Sequence, residues 1–291
     1  MIFSTIEIMT PFFIAALGGL FTERAGMLNI ALEGLILNGA FAAVVITSFT
    51  GSLWLGILAG VVSSLLLSLL FGGVSLYLKT NIFISGLAVN LLAAGLVTLL
   101  STLFFDTKGV VRLAESGGTG GTRLFIGLQE LPLIGPLFFG HSIFFYCSLV
   151  LLFITYRLLY RTPFGLRLQA AGLAPQTLTA RGCNPLHYQL SAILISGAFC
   201  GFAGANLVMR LGAFVPNISG GRGWIALVAI YLGRKHPAGI LIAAFCFALA
   251  EAVTNRVQGT AAIPGTVVLS FPYIATFLGL VLVSILYKKK T

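Results

Sequence analysis

The chain has 291 residues, of which 58% are hydrophobic and 8% charged, and its mean hydropathy is +1.05. Soluble domains are roughly half apolar and a quarter charged, so these values exclude a soluble globular protein and predict a polytopic membrane protein. The net charge of +10 is spread over loops without interleaved aromatic residues, which favours a lipid bilayer with anionic head groups, and not nucleic acid, as the partner.

Apolar runs of membrane-spanning length follow one another along the chain. A spanning helix needs about 20 mostly apolar residues between polar or turn-forming flanks. On that basis we predict spans at 2–21, 34–49, 53–78, 82–105, 137–160, 189–211, 236–255 and 267–287. The amino terminus lacks the basic head and cleavage site of a secretory signal, so the first run is expected to remain as an anchor. The predicted fold class is an all-α polytopic membrane protein with one transmembrane domain over residues 1–291.

Two further segments, 22–33 and 221–233, are too apolar for loops and too short for complete crossings. Backbone that breaks inside a membrane is tolerated only where protein covers it or where it lines a water-filled path. Both segments contain Ile-Ala-Leu, beginning at Ile30 and at Ile225, a weak indication of a duplicated architecture. We therefore expect about 8 to 10 transmembrane helices, of which one or two are short or broken.

Polar segments of the chain predict its orientation. The segment 106–136 is glycine-rich and is expected to be an external loop, either a flexible surface loop or a contact for an external donor protein. Lys and Arg collect instead in a second polar segment, 161–188, and in the three lysines at 288–290. Because positive charge marks the cytoplasmic side, we expect 161–188 and the carboxyl terminus to be cytoplasmic.

The segment 161–188, called the connector below, is too long for a turn. Pro175 suits the first turn of a helix, where its missing N–H costs nothing, and Gly182 suits the left-handed residue just past a helix end. The spacing predicts a helix of about two turns between them, flanked by Arg167 and Arg181. Such a surface helix can dock on a soluble partner; the alternative is an amphipathic helix lying in the membrane interface.

The sequence contains no recognisable ATP-binding, metal-binding or catalytic-serine motif. No Walker-type G-x-x-x-x-G-K-[ST] occurs, so energy from ATP would have to come from a separate polypeptide. The three histidines and four cysteines show no metal-binding spacing, and no serine lies in a G-x-S-x-G elbow. We therefore expect no catalytic residue, no metal site and no cofactor bound by this chain.

Polar side chains inside the apolar runs are the candidates for a substrate path. Asn29 and Glu33 are four residues apart, as are Glu251 and Asn255, so each pair would share a helix face. An ionised group at mid-membrane costs about 2.5–3.5 kcal/mol on insertion scales, so these side chains should face the bundle interior. Such pairs can also hold helices together, and both interpretations stay open. The remaining candidates are two lone amides and an aromatic ring able to stack on a sugar or base: Asn90, Asn206 and Trp224.

Three stretches carry a resemblance to a known family: Glu23 to Gly34 (ERAGMLNIALEG), the connector with Pro175 and Gly182, and Gly221 to Leu227 (GRGWIAL), which Gly233 and Pro237 follow. They resemble the membrane permeases of bacterial ABC importers for ribose-type sugars and nucleosides, over nearly the whole chain. The resemblance implies a permease subunit of the bacterial cytoplasmic (inner) membrane that forms half of a translocation path. It also implies three partners: a second permease subunit in a heterodimer, a cytoplasmic ATPase subunit that holds ATP and Mg, and an extracytoplasmic substrate-binding protein.

If the likeness holds, the connector includes the coupling helix that docks on the ATPase. The expected ATPase-coupling residues are Arg167, Gly172, Pro175, Gln176, Thr179, Arg181 and Gly182. The family tends to have Gly-Glu-Asn-Pro followed by paired alanines, whereas this chain has Gly172-Leu-Ala-Pro175 and then Thr177-Leu178. The acidic docking contact is therefore missing, either because the ATPase has diverged or because this subunit is the weaker docking half of a heterodimer.

Two other function classes were weighed against the permease subunit. A secondary carrier driven by an ion gradient would use Glu33 and Glu251 as protonatable groups and the broken segment near Trp224 as its site. An intramembrane enzyme acting on lipid-linked substrates would need carboxylates, histidines or arginines clustered at one membrane face, and the sequence shows no such cluster. The leading hypothesis is a permease subunit of an ATP-driven importer for a nucleoside or simple sugar.

Overall fold

Seven helices among the described residues are long and apolar enough to cross a membrane. The structure, a computed structural model, describes residues 1–113 and 139–258, and within them these seven helices are joined by one shorter apolar helix. They confirm the predicted all-α polytopic class and the first seven predicted spans. The eighth, 267–287, lies outside the described residues, as do most of the predicted external loop and the carboxyl-terminal lysines.

In chain order the elements are α1 (Ile2–Arg24), α2 (Leu32–Thr50), α3 (Leu53–Gly72, continued by a π-helical turn, Gly73–Tyr77), α4 (Ile82–Phe105), β1 (Val111–Arg112), α5 (Ile143–Arg161), α6 (Pro163–Leu173), α7 (Pro175–Ala180), α8 (Pro185–Leu211), β2 (Ala213–Phe214), α9 (Arg222–Leu232) and α10 (Pro237–Gln258). Local chemistry explains several of the starts. The Asn81 side chain accepts from the N–H groups of Phe83 and Ile84 at the start of α4. Asn184 caps α8 in the same way, and Pro185 follows it at the first helical position.

Helix α8 lies at the centre of the bundle, where it packs against α1, α2 and α3. In α1, α2 and α8, 78%, 67% and 72% of the most apolar stretch is buried, against 28% in each of α3, α4 and α5. The outer helices therefore present apolar side chains outward, as Leu91 and Leu103 of α4 do. Outward-facing apolar surface of this extent marks contact with lipid or with another subunit.

Small residues let the central helices approach closely. A Cβ on Gly201 of α8 would lie 2.5 Å from the carbonyl oxygen of Gly60 in α3, and a Cβ on Gly39 of α2 would lie 2.6 Å from the Cα of Gly201. Backbones this close gain van der Waals contacts, and a larger side chain at either glycine would push the helices apart and remove these contacts. The three helices are thus joined at one level of the bundle.

The two segments that the sequence marks as short or broken differ from each other. Helix α9 has 11 residues and is about 16 Å long, roughly half the hydrocarbon thickness of a bilayer. Segment 22–33 consists of the end of α1, a turn at residues 25–31 and the start of α2, and Ala25, Asn29 and Ala31 of the turn are buried. The Nε2 of Gln189 donates to the Ala25 carbonyl, and Asn29 bonds Ser196, so the turn climbs about 10 Å along α8 before α2 begins.

A minimal two-stranded sheet was not predicted from the sequence. Strands β1 and β2 pair antiparallel, with Val111 opposite Phe214 and Arg112 opposite Ala213. The buried Phe214 ring packs edge-on against Phe41, at 5.5 Å between ring centroids. This sheet ties the segment after α4 to the segment after α8 at the end of the bundle away from the connector.

Candidate functional site

The connector folds as two consecutive helices, α6 and α7. The helix predicted between Pro175 and Gly182 is confirmed as α7, with Pro175 in the first turn and Gly182 in the left-handed conformation at φ 76°. The sequence interpretation missed α6, whose start is capped by the Thr162 side chain accepting from the Gly165 N–H. Ala174, at φ −149° and ψ 71°, breaks the helical path between the two. The connector is therefore helical over most of its length, with a break at Ala174.

The side chains of α7 point almost entirely outward. Leu178 is the buried residue of this helix, whereas Gln176, Thr179 and, just after the helix, Arg181 are exposed. Leu173, at the end of α6, is 85% exposed. Helix α7 therefore presents mainly polar side chains outward, with the exposed Leu173 beside them. The exposed Arg167 lies on α6 and donates from Nη1 to the Tyr188 hydroxyl at 3.4 Å, which ties α6 to α8.

Gly172 brings the connector into backbone contact with the turn after α1. A Cβ on Gly172 would lie 2.6 Å from the Arg24 carbonyl oxygen and 2.6 Å from the Gly26 nitrogen. Gly26 itself is in the left-handed conformation, at φ 76°. Both positions therefore require glycine: Gly172 because there is no space for a Cβ atom, and Gly26 because its backbone is in the left-handed conformation.

A cluster of charged and phenolic groups lies beside that contact and is called the connector-end cluster. Its members are Glu23, Arg24, Tyr160, Tyr231 and Lys235. The Lys235 Nζ lies 2.6 Å from Glu23 Oε1, and the Tyr231 hydroxyl donates to Glu23 Oε2 at 3.0 Å. Arg24 donates to the Lys235 carbonyl at 2.6 Å and to the Tyr160 hydroxyl at 2.8 Å. Four members of the cluster, Glu23, Arg24, Tyr231 and Lys235, line a cavity of ≈ 290 Å³ together with Gln169, Gly172 and Leu173 of the connector.

Glu33 caps the start of α9. Its Oε1 accepts from the Gly221 N–H at 2.8 Å and its Oε2 from the Gly223 N–H at 2.7 Å. Side-chain oxygens commonly satisfy the free N–H groups of a helix start, and a carboxylate there is also favoured by the helix dipole. The carboxylate of Glu33, a residue of α2, therefore contacts the start of α9, whereas Arg24 bonds Lys235 and Tyr160.

Three of the four candidate asparagines occupy different surroundings. Asn29 lies in the turn before α2, so the prediction that it shares a helix face with Glu33 is wrong; its Nδ2 donates to Ser196 Oγ at 2.9 Å. Asn90 of α4 accepts from the Gly34 N–H at 2.8 Å and donates to the Ile30 carbonyl at 2.9 Å. Asn206 is 1% exposed, and its Nδ2 has no hydrogen-bond partner among residues 1–113 and 139–258.

Glu251 reaches the same end of α9 from α10. Its Oε1 lies 3.2 Å from the Nη2 of Arg222, the first residue of α9. Trp224, in the same helical turn, is 42% exposed. Asn255, one turn beyond Glu251, is exposed. The structure therefore brings Glu33, Glu251 and Trp224 together around the start of α9 and leaves Asn255 outside that group.

The geometry divides the predicted residues into two sites. One is the connector surface, and the other is the half-buried start of α9 with the turn that leads into α2. Nothing in either set is arranged for covalent chemistry, and within the described ranges, 1–113 and 139–258, no three His, Cys, Asp or Glu side chains group as metal ligands do.

Comparison with known proteins agrees with a role in transport. Residues 1–286 match the family described as the permease component of the branched-chain amino acid transport system. TsgC13 of Haloferax volcanii, described as a glucose ABC transporter permease, is 33% identical over 258 residues, which are 88% of this chain and 77% of TsgC13. The guanosine ABC transporter permease NupQ of Bacillus subtilis is 32% identical over 290 residues, 95% of this chain and 89% of NupQ.

A solved structure shares the fold. An ABC transporter described as of the metal-chelate type, in an inward-facing conformation, superposes with a TM-score of 0.52 at 19% identity, covering 97% of this chain and 85% of that one. At this identity the likeness concerns the arrangement of helices alone. It agrees with the polytopic bundle described above.

Proposed function

Because the chain belongs to the permease family of the branched-chain amino acid transport systems, we propose that it forms half of the path of an importer for a nucleoside or a simple sugar. It is a multi-pass membrane protein and the permease subunit of an ATP-driven importer. The ion-gradient carrier weighed above is not supported, because the relatives work with an ATP-binding cassette. Permease subunits are not enzymes, so ATP and Mg belong to the partner ATPase.

The hydrogen bonding of the acidic side chains supports an uncharged solute as the substrate. Four glutamates lie on the described helices, and each accepts from a protein donor: Glu7 from Ser142, Glu23 from Tyr231, Glu33 from Gly221 and Gly223, and Glu251 from Arg222. A path whose carboxylates are already engaged offers amides, hydroxyls and aromatic faces. Nucleosides and simple sugars need such groups and carry no charge. The named substrates of the relatives, guanosine and glucose, belong to this class.

Docking of the ATPase is assigned to α7 and the residues around it. The support is an exposed connector made of two helices, of which α6 touches the turn after α1. A rigid element passes a displacement into the helices it contacts, whereas coil would absorb it. The residues assigned to this surface are Arg167, Gly172, Pro175, Gln176, Thr179, Arg181 and Gly182. The connector then lies in the cytoplasm, together with the carboxyl terminus.

The substrate path is assigned to the region around the start of α9. The residues proposed to line or shape it are Asn29, Glu33, Asn90, Asn206, Trp224 and Glu251, whereas the exposed Asn255 lies outside this group. Asn206 is the strongest candidate for a direct contact, because its buried amide nitrogen lacks a partner within the described part of the chain. A second permease subunit, in a heterodimer, supplies the other half of the path, and an extracytoplasmic binding protein delivers the solute.

Reconstitution tests this function. The permease is purified with its ATPase, its second permease subunit and its binding protein, and uptake of labelled guanosine and glucose into proteoliposomes is measured with and without ATP. We expect ATP-dependent uptake of one of the two classes, with competition by unlabelled nucleosides or sugars and none by nucleoside monophosphates. Uptake that continues without ATP, or competition by the monophosphates, would contradict the proposal.

A further inference from the structure

The carboxylate of Glu33 lies where two helices begin. Glu33 is in the first turn of α2, and its two oxygens accept from Gly221 and Gly223 at the start of α9. A Cβ on Gly223 would lie 2.6 Å from the Glu33 Cα, so the two helix starts are packed directly on each other. Helix starts carry partial positive charge and would repel; a carboxylate between them is favoured by both.

The turn that leads into α2 and Glu33 begins in contact with the connector. Gly26 is in contact with Gly172 of α6, and seven positions later the chain reaches Glu33. Between the two, the Asn29 side chain donates to the Ser196 hydroxyl. The Asn90 side chain bonds the Ile30 carbonyl before α2 and the Gly34 N–H within α2. A segment fixed at these points moves as a unit when α6 pushes on it.

The other end of α9 returns to the same stretch of chain. The Tyr231 hydroxyl and the Lys235 ammonium, at and just beyond the end of α9, both contact the carboxylate of Glu23. Helix α9 is therefore held at both ends by glutamates ten residues apart, Glu23 and Glu33. One of these carboxylates lies next to the connector and the other deep in the bundle.

We propose that Glu33 is a positioning residue for transport: by holding the start of α9 on the start of α2, it makes α9 follow the turn that the connector contacts. This inference rests on the proposed function, in which an ATPase moves the connector. Trp224, in the first turn of α9, moves with that helix. Glu33 thus acts through α9 and does not bind the solute.

The test measures the cap and the coupling separately. In the assembled transporter in lipid nanodiscs, Glu33→Gln keeps the size of the side chain but leaves one acceptor oxygen for two N–H groups. Hydrogen exchange of the Gly221 and Gly223 amides should accelerate by about tenfold or more, because bonds to charged acceptors are the stronger ones. In proteoliposomes, solute moved per ATP should fall several-fold while ATP hydrolysis continues.

Two further variants keep the test decisive. Asp106→Asn removes a carboxylate at an exposed position at the end of α4, away from both sites, and should change neither measurement. If Glu33→Gln lowers the yield of assembled transporter, Glu33→Asp keeps the charge with a shorter side chain and should show a smaller change in the same direction.

Each outcome decides one statement. If hydrogen exchange at Gly223 is unchanged in Glu33→Gln, Glu33 does not cap α9. If exchange is faster but the amount of solute moved per ATP is unchanged, Glu33 caps α9 without positioning it for transport. A wild-type transporter that moves neither nucleoside nor sugar would contradict the proposed substrate class instead. The exchange measurement needs no solute, so it would still decide whether Glu33 holds α9.

Discussion

Replacing Gly172 by alanine tests the contact between the connector and the turn after α1. The added methyl group would lie 2.6 Å from the Arg24 carbonyl oxygen and from the Gly26 nitrogen, and 2.8 Å from the carbonyl carbon of Ala25. All three are backbone atoms, so no side chain can rotate away. Helix α6 must move off the turn.

The size of the effect follows from these distances. Carbon and oxygen atoms in ordinary contact are at least about 3.3 Å apart, whereas the added Cβ would lie 2.6 Å from the Arg24 carbonyl oxygen. The backbones of α6 and of the turn after α1 must therefore separate by about 0.7 Å. Overpacking of this kind typically costs about 1–3 kcal/mol, against roughly 1 kcal/mol gained by alanine over glycine within a helix. The exposed face of α7 is unchanged, so the ATPase should still bind while solute moved per ATP falls by up to about tenfold.

The assay compares Gly172→Ala with Gly95→Ala in reconstituted transporter. A Cβ on Gly95, in α4, meets nothing within 4 Å, so this matched substitution should leave transport unchanged. ATP hydrolysis, solute uptake and the yield of assembled complex are measured for both. Wild-type uptake per ATP in Gly172→Ala would refute the claim that this contact passes movement from the connector to the bundle.

Two other substitutions test the assigned residues. Arg181→Glu places an acidic group at an exposed position just after α7 and should uncouple ATP hydrolysis from uptake with the bundle still assembled, as should Thr179→Glu; unchanged substrate-stimulated ATPase activity would count against the docking surface. Glu251→Gln removes the negative charge from the ion pair with Arg222. The Glu251 Oε1 lies 3.2 Å from the Arg222 Nη2, and the side chains of Arg222 and Glu251 are 22% and 19% exposed. The substitution should alter uptake without altering assembly, and normal uptake kinetics would reject a role for Glu251 in the path.

Much of the fold follows from local sequence signals. Long apolar runs predict the spans, and Pro175 with Gly182 correctly predicts α7, because both residues act through their own backbone conformation. The start of α6 carried a comparable signal, Thr162 followed by Pro163, which is typical of a helix start and was overlooked.

The site itself depends on contacts between distant parts of the chain. Sequence spacing suggested that Asn29 and Glu33 share a helix face, but the turn climbs along α8 and only Glu33 belongs to α2. The partners of Glu33 lie about 190 positions away along the chain, at Gly221 and Gly223. No local pattern predicts such a pairing, although a glycine-rich helix start without a capping side chain of its own indicates that a cap must come from elsewhere.

Labelling at Gln176 tests the central claim that the connector faces the cytoplasm and meets an ATPase there. In a chain whose four cysteines, at 147, 183, 200 and 246, are replaced, Gln176→Cys is exposed to a membrane-impermeant maleimide from one side of the membrane at a time. The account predicts labelling in inverted vesicles but not in intact cells, and protection when the ATPase is bound. Labelling of intact cells from outside would contradict it.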